Sequence, residues 1–264
     1  MPMLEAGWMW PVDWALPPGV RAVMTSRHPG ASTGGHGGFN LATHVGDQPL
    51  AVATNRQQLA AHLQARPVFL NQVHGVACVQ VDAQTPDGTE GDAAFTTEVG
   101  VACTMMVADC LPVLMCDADG RQVAAAHAGW RGLVHGVLDS TVAAFAGRGA
   151  SDLTAWLGPC IGPGKFEVGE DVRSVFGRLW SAEAMGSPWF EPHAKVAGKH
   201  WCDLAALARW QLARLGVGRV HGNDSSPVWC TASQPERWFS HRRDGSAPGG
   251  TGRMAACIWR EGVA

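Results

Sequence analysis

Between Gly100 and His127 the chain runs through three apolar stretches, GVACTMMV (Gly100–Val107), LPVLMCD (Leu111–Asp117) and QVAAAH (Gln122–His127), with only short breaks between them. Runs of this length and composition suit strands, and so little polar character places them in a buried core. Asp119-Gly120 supplies a hairpin turn between the last two. Two residues are out of keeping with that core. Cys110 lies in the break between the first two runs, and His127 ends the third, just before AGWRG. Cysteine is at home there as a small hydrophobe, whereas an imidazole needs a partner.

The remaining elements surround these strands. Gln48–Gln64 has helical spacing through Leu50, Val52, Leu59 and Leu63. PVFLNQV (Pro67–Val73) and VACVQVD (Val76–Asp82) read as strands interrupted at His74-Gly75. Gly132–Ala146 reads as helix, AWLGPCIGP (Ala155–Pro163) as a strand ending in a Pro/Gly turn, and Glu167–Trp180 and Cys202–Leu215 as helices. Ser26–Asn40 and Ser240–Arg253 are Gly-rich loops, and MAACIW (Met254–Trp259) is a closing strand. Hairpins mixed with crossovers predict one α/β domain over residues 1–264, α+β-like, with mixed β-sheets flanked by helices.

Composition limits the function classes. Hydrophobic residues at 46% and charged residues at 16% indicate a globular chain, and a formal charge of −3 gives no reason to expect nucleic acid or an anionic membrane as partner. No apolar stretch approaches a membrane span, and the N-terminal region lacks a secretory pattern, so a cytoplasmic location is expected. Eight dispersed cysteines without a CxxC then read as reduced thiols, buried or metal-bound. Only three of the 20 cations are lysines, which leaves arginine to contact phosphate or carboxylate.

Spacing alone does not join His74, Cys110 and His127, although strand ends and the turns after them are where side chains converge on a site. The residues that connect them are in longer motifs. NQVHG (Asn71–Gly75), ADCLPVL (Ala108–Leu114), AAAHAGWRG (Ala124–Gly132), LGPCIGP with FEVGEDV, and FSHRRDG followed by TGRMA resemble the YfiH family. TSRHPG, FNLATHVGD and Asn55-Arg56 match its N-terminal part, so the resemblance spans essentially the whole chain. Members of that family are variously labelled laccase-domain, polyphenol oxidase, peptidoglycan-editing and purine nucleoside phosphorylase proteins. The resemblance implies a layered α/β fold with mixed sheets and a metal triad on His74, Cys110 and His127.

Two imidazoles and a thiolate suit zinc, and three protein ligands leave a fourth position for water or substrate. The resemblance thereby implies a zinc-dependent enzyme that cleaves adenosine, inosine or methylthioadenosine with phosphate, and that also deaminates adenosine. Asp109, beside the thiolate, is a candidate to orient a ligand or to move a proton; the plain alternative is a turn residue capping local backbone. Arg131, after the AHAGW turn, and Arg242 and Arg243, in the Gly-rich loop, are candidates for phosphate or ribose contact; the plain alternative for each is a solvated surface cation. Three other readings stand beside this one. A peptidoglycan-editing amide hydrolase could use the same zinc or a Cys110–His pair, and a non-enzymatic zinc protein is the third class. A copper polyphenol oxidase would find His₂Cys with Met105, Met106 and Met115 nearby, but the chain has none of the His-x-His pairs of a laccase cluster. Copper is therefore expected only adventitiously.

Overall fold

The apolar runs become the middle of two stacked sheets. The computed structural model describes residues 9–10, 12–180 and 189–262. A five-stranded sheet has the order β1 (Met9–Trp10), β2 (Val20–Thr25), β14 (Met254–Arg260), β6 (Val101–Val107), β3 (Arg66–Phe69). Its neighbours are antiparallel except β3 and β6. A six-stranded sheet has the order β13 (Arg219–Gly222), β9 (Leu153–Leu157), β7 (Leu111–Asp117), β8 (Val123–Ala128), β5 (Ala93–Thr96), β4 (Cys78–Gln80). It is antiparallel in the middle with a parallel pair at each edge. A small antiparallel sheet joins β10 (Glu167–Gly169), β12 (Lys199–Cys202) and β11 (Phe190–Pro192). The α-helices of the described residues are α1 (Pro49–Leu63), α2 (Trp130–His135), α3 (Val137–Ala143), α4 (Glu170–Leu179), α5 (Leu204–Arg214) and α6 (His241–Asp244).

Side-chain alternation explains why the central runs are apolar throughout. Val101, Cys103, Met105 and Val107 of β6 share a core with Leu114 and Cys116 of β7 and with Val123 and Ala125 of β8. The alternate residues of β6, Ala102 and Met106, pack with Leu59 and Leu63 of α1. Those of β7 and β8, such as Val113, Met115, Ala124 and Ala126, pack with Leu133 of α2, Val137 of α3 and Leu207 of α5. The order of layers is therefore helix, sheet, sheet, helices. Every residue of β6, β7 and β8 is buried, because each of these strands has a covered layer on both sides.

This agrees with the expected layered, mixed-sheet α/β class. Some predicted elements change where tertiary pairing outweighs local pattern. The helix predicted over Gly132–Ala146 is two helices, α2 and α3, broken at Gly136, whose φ of 101° lies where L side chains are rare. Glu167–Gly169, predicted as helix, pairs with β12 as a strand, and α4 starts at Glu170. Cys202 ends β12; α5 begins after Asp203, whose carboxylate accepts the Ala206 N–H at 2.9 Å. The loop Ser240–Arg253 contains α6, capped by Ser240. The two strands predicted on either side of His74-Gly75 shorten to β3 and β4, since the chain changes sheets between them. It passes between these two sheets again from β5 to β6, from β6 to β7 and from β13 to β14.

Cys103 and Cys257 lie wholly inside the layers. Burial pushes the Cys257 thiol up to about 12 and that of Cys103 well above its usual range. Cys103→Ala and Cys257→Ala should each lower unfolding stability by about 1–3 kcal/mol through the cavity left behind, as read by denaturant titration. Both native thiols should resist alkylation until the protein unfolds. Rapid labelling of either in the folded state would contradict this packing.

Candidate functional site

The β3–β4 and β6–β7 connections leave the same end of the sandwich, because β3 and β6 run parallel side by side. Each contains a non-glycine residue in the left-handed region, His74 at φ 63° and Asp109 at φ 89°. Such a conformation costs roughly 1–3 kcal/mol and persists only where its surroundings hold it. Gln72 binds the two connections together: its side-chain amide accepts the Met106 N–H and donates to the Met106 carbonyl, both at 2.9 Å. His74 and Cys110 ride on these connections, and His127 comes in from the end of β8, opposite Pro112.

The structure brings the three predicted ligands together. Their donor atoms lie within 4.8 Å of one another, with Cys110 Sγ 3.7 Å from His74 Nε2. The His74 and His127 rings are 4.8 Å apart at 64°. His127 is buried and His74 exposed, so the cluster opens to one side. Gly129 keeps it open from behind, since a Cβ there would stand 2.9 Å from Cys110 Sγ and 3.0 Å from His74 Cδ2.

Asp92, which the sequence reading missed, holds both histidines. It is fully buried, and its carboxylate accepts the backbone N–H groups of Val73 (3.1 Å), His74 (2.9 Å) and Gly75 (2.6 Å). These contacts hold His74 in its left-handed conformation. The same carboxylate lies 2.8 Å from His127 Nδ1. Because an ionised carboxylate only accepts, Nδ1 carries the proton and Nε2 is left to face the cluster. The only hint in the sequence is an acid at the head of the apolar run DAAF.

Electrostatics in the cluster favour separated charge. Burial raises the Cys110 thiol, but the charge of His127 and hydrogen bonds from both histidines outweigh it and bring it down. Burial lowers His127, but Cys110 and Asp92 outweigh that and raise it. Asp92 is held low against its burial by His127 and by the Gly75 N–H. The donor set fits a divalent ion: two imidazoles, one of them backed by a carboxylate, and a sulfur already inclined to the thiolate. Three protein donors leave coordination space toward the solvent side.

That side is a cleft of about 430 Å³, with Trp130, Ile161 and Phe166 among its apolar walls and Arg131, Arg242 and Arg253 among its cations. Arg131 stacks on Trp130 at 4.5 Å and makes no hydrogen bond among the described residues. Arg242 donates to the carbonyls of Lys165 and Glu167 and lies over the Phe166 ring. Arg253, which the sequence reading did not single out, donates to the Thr251 and Gly252 carbonyls.

Two expected roles need correction. The guanidinium of Arg243 points into the protein, donating to the carbonyls of Thr231 and Trp238 and to Asp244, and it does not line the cleft. Asp109 borders the cleft, but its carboxylate is occupied by Thr231 Oγ1 at 2.5 Å, Ser240 Oγ at 3.1 Å and the Arg242 N–H at 2.6 Å. Through these three contacts it fastens a loop.

Residues 21–261 match the family model described as multi-copper polyphenol oxidoreductase laccase. The Escherichia coli protein named purine nucleoside phosphorylase YfiH is 42% identical over 249 residues, covering 94% of this chain and 96% of its own. The chain belongs to the YfiH family. A Pseudomonas aeruginosa relative, also named a purine nucleoside phosphorylase, is 44% identical over 252 residues, covering 96% of this chain and 98% of its own. Among solved structures, a Neisseria meningitidis protein superposes with a TM-score of 0.88 at 41% identity, covering 97% of this chain and all of that one. YlmD from Geobacillus stearothermophilus gives 0.82 at 31%, covering 93% of each. No helix among the described residues of this YfiH-family chain is long and apolar enough to cross a membrane.

Asp92→Asn removes the charge behind His127 and one acceptor oxygen from the His74 turn. Its metal affinity should fall about 10- to 100-fold, the usual effect of losing such a partner, as measured by chelator competition. Cys110→Ala should lose the metal while keeping its unfolding transition. Undiminished metal affinity in both variants would remove the cluster from consideration.

Proposed function

We propose that this chain is a zinc-dependent purine nucleoside phosphorylase, acting on adenosine, inosine or methylthioadenosine. One observation carries the reading beyond the names of its relatives. The cleft that opens on the His74–Cys110–His127 cluster presents three guanidiniums, Arg131, Arg242 and Arg253, that have no carboxylate partner among the described residues. Unpaired cations fixed by carbonyls and aromatic faces make a site prepared for an anion.

In phosphorolysis a phosphate oxygen forms a bond to C1′ of the ribose while the C1′–N9 bond breaks and its electrons leave with the purine. The arginines would neutralise the phosphate and hold it beside the sugar. Trp130, Ile161 and Phe166 offer an apolar bed that excludes water from the reacting carbon. Zinc on His74, Cys110 and His127 would supply a Lewis acid with an open position. His127 keeps its orientation through Asp92, and Cys110 as thiolate would balance part of a bound metal's charge.

Adenosine deamination is the second activity this arrangement favours, because an open position beside the purine suits activation of water as well. Oxidase chemistry of the laccase kind uses a multinuclear copper cluster in addition to a single-copper site. Among the described residues, His74, Cys110 and His127 form the one grouping that could hold an ion, which favours a single-metal reaction.

Protein purified without added metal should contain about one zinc per chain. Chromatography of nucleosides incubated with it should show base release that requires phosphate, stops with a strong chelator, returns with zinc and persists under argon. Deamination of adenosine should not require phosphate. Arg131→Ala should raise the phosphate KM roughly 10- to 100-fold, the loss of a charge-assisted hydrogen bond worth about 1.5–3 kcal/mol. Dioxygen-dependent phenol oxidation with no product from any nucleoside would overturn the proposal.

A further inference from the structure

The carboxylate that borders the cleft, Asp109, is committed to holding a distant loop. Asp109 lies in the connection that carries Cys110, between β6 and β7, and its backbone carbonyl accepts the Ile161 N–H at 2.9 Å. Its carboxylate takes three donors from a distant part of the chain. Oδ1 accepts Thr231 Oγ1, and Oδ2 accepts both Ser240 Oγ and the backbone N–H of Arg242. All three partners donate to it, so it acts purely as an acceptor.

The segment it holds is stiff. Ser240 also accepts the Arg243 N–H at 3.2 Å, and the Arg243 guanidinium ties back to the carbonyls of Thr231 and Trp238. Residues 231–244 therefore form one braced turn seated on Asp109. Arg242 projects from that turn into the cleft, with its guanidinium resting on the carbonyls of Lys165 and Glu167. The residue after Asp109 is Cys110. One carboxylate thus fixes the distance between a metal ligand and a guanidinium that are more than a hundred residues apart in sequence.

We propose that Asp109 is a positioning residue for the phosphate, docking the Arg242 turn against the connection that bears Cys110, an inference that rests on the phosphorolysis reading above. The role of Asp109 is to keep the anion site and the metal site in register. A turn freed from it leaves Arg242 to search for its position on each binding event, which weakens phosphate binding and leaves the chemistry of bound phosphate intact.

The test uses full-length, zinc-loaded protein. Thr231→Val removes one donor to Asp109, and Thr231→Ser retains the hydroxyl. Thr231→Val should raise the phosphate KM about tenfold while zinc content and kcat stay near wild type, and Thr231→Ser should restore the KM. Adding Thr231→Val to Asp109→Asn should raise the phosphate KM no further than Asp109→Asn alone, since both act through one carboxylate. Loss of kcat in Asp109→Asn at an unchanged phosphate KM would make Asp109 a proton carrier and overturn the proposal. So would a phosphate KM in Thr231→Val equal to that of the wild type. Calorimetry with inorganic phosphate separates the two readings. If the wild type cleaves no nucleoside yet binds phosphate more tightly than Asp109→Asn, the phosphorylase reading fails and the positioning role stands. Equal binding by both proteins, or none by either, would sink the positioning role whatever the turnover.

Discussion

The Asp92 carboxylate accepts three successive backbone N–H groups, from Val73 to Gly75, and faces His127 Nδ1, all in a position closed to solvent. A buried carboxylate is costly unless its lone pairs are satisfied, and here four donors converge on it. The result reaches past stability. The same group bends the chain so that His74 leaves β3 in a left-handed turn, and it sets which nitrogen of His127 is free. Without it, one ligand would lose its backbone conformation and another its tautomer.

The sandwich explains why that carboxylate lies where it does. Two sheets share one core, and the β3–β4 and β6–β7 connections are two of those that pass between them. A connection between packed sheets must turn sharply while its peptide groups stay satisfied. Gln72, Asp92 and Asp109 do that work, and the two ligands on the connections, His74 and Cys110, come as a consequence of the route. The covered layers on both sides of β6, β7 and β8 make the frame rigid, so the donor atoms of the cluster are held in place by the protein itself.

Charge is distributed across the cleft in a complementary way. The acids near it, Asp92 and Asp109, are both saturated by donors, which leaves the three guanidiniums without competing carboxylates. A negative co-substrate would meet cations that the protein has already positioned by carbonyls and aromatic rings. Arg243 shows the contrast. It stands next to Arg242 in sequence, yet it pairs with Asp244 and backbone carbonyls and serves the fold.

Much of this protein was legible in the sequence. The apolar runs of β6, β7 and β8 announced buried strands, and the motifs around His74, Cys110 and His127 carried the family and the candidate metal ligands. Helix boundaries were read less well. Gly136 breaks a continuous helical pattern through its backbone conformation, and Glu167–Gly169 is drawn into a strand by pairing with the distant residues of β12. The roles of Asp92, Asp109, Arg243 and Arg253 depended on tertiary structure alone. Residue type gave each of them a charge, but whether that charge faces solvent, substrate or a set of backbone groups is fixed by which distant segments fold against it. Local sequence determines what a side chain can donate or accept; only the packed chain determines what stands within 3 Å of it.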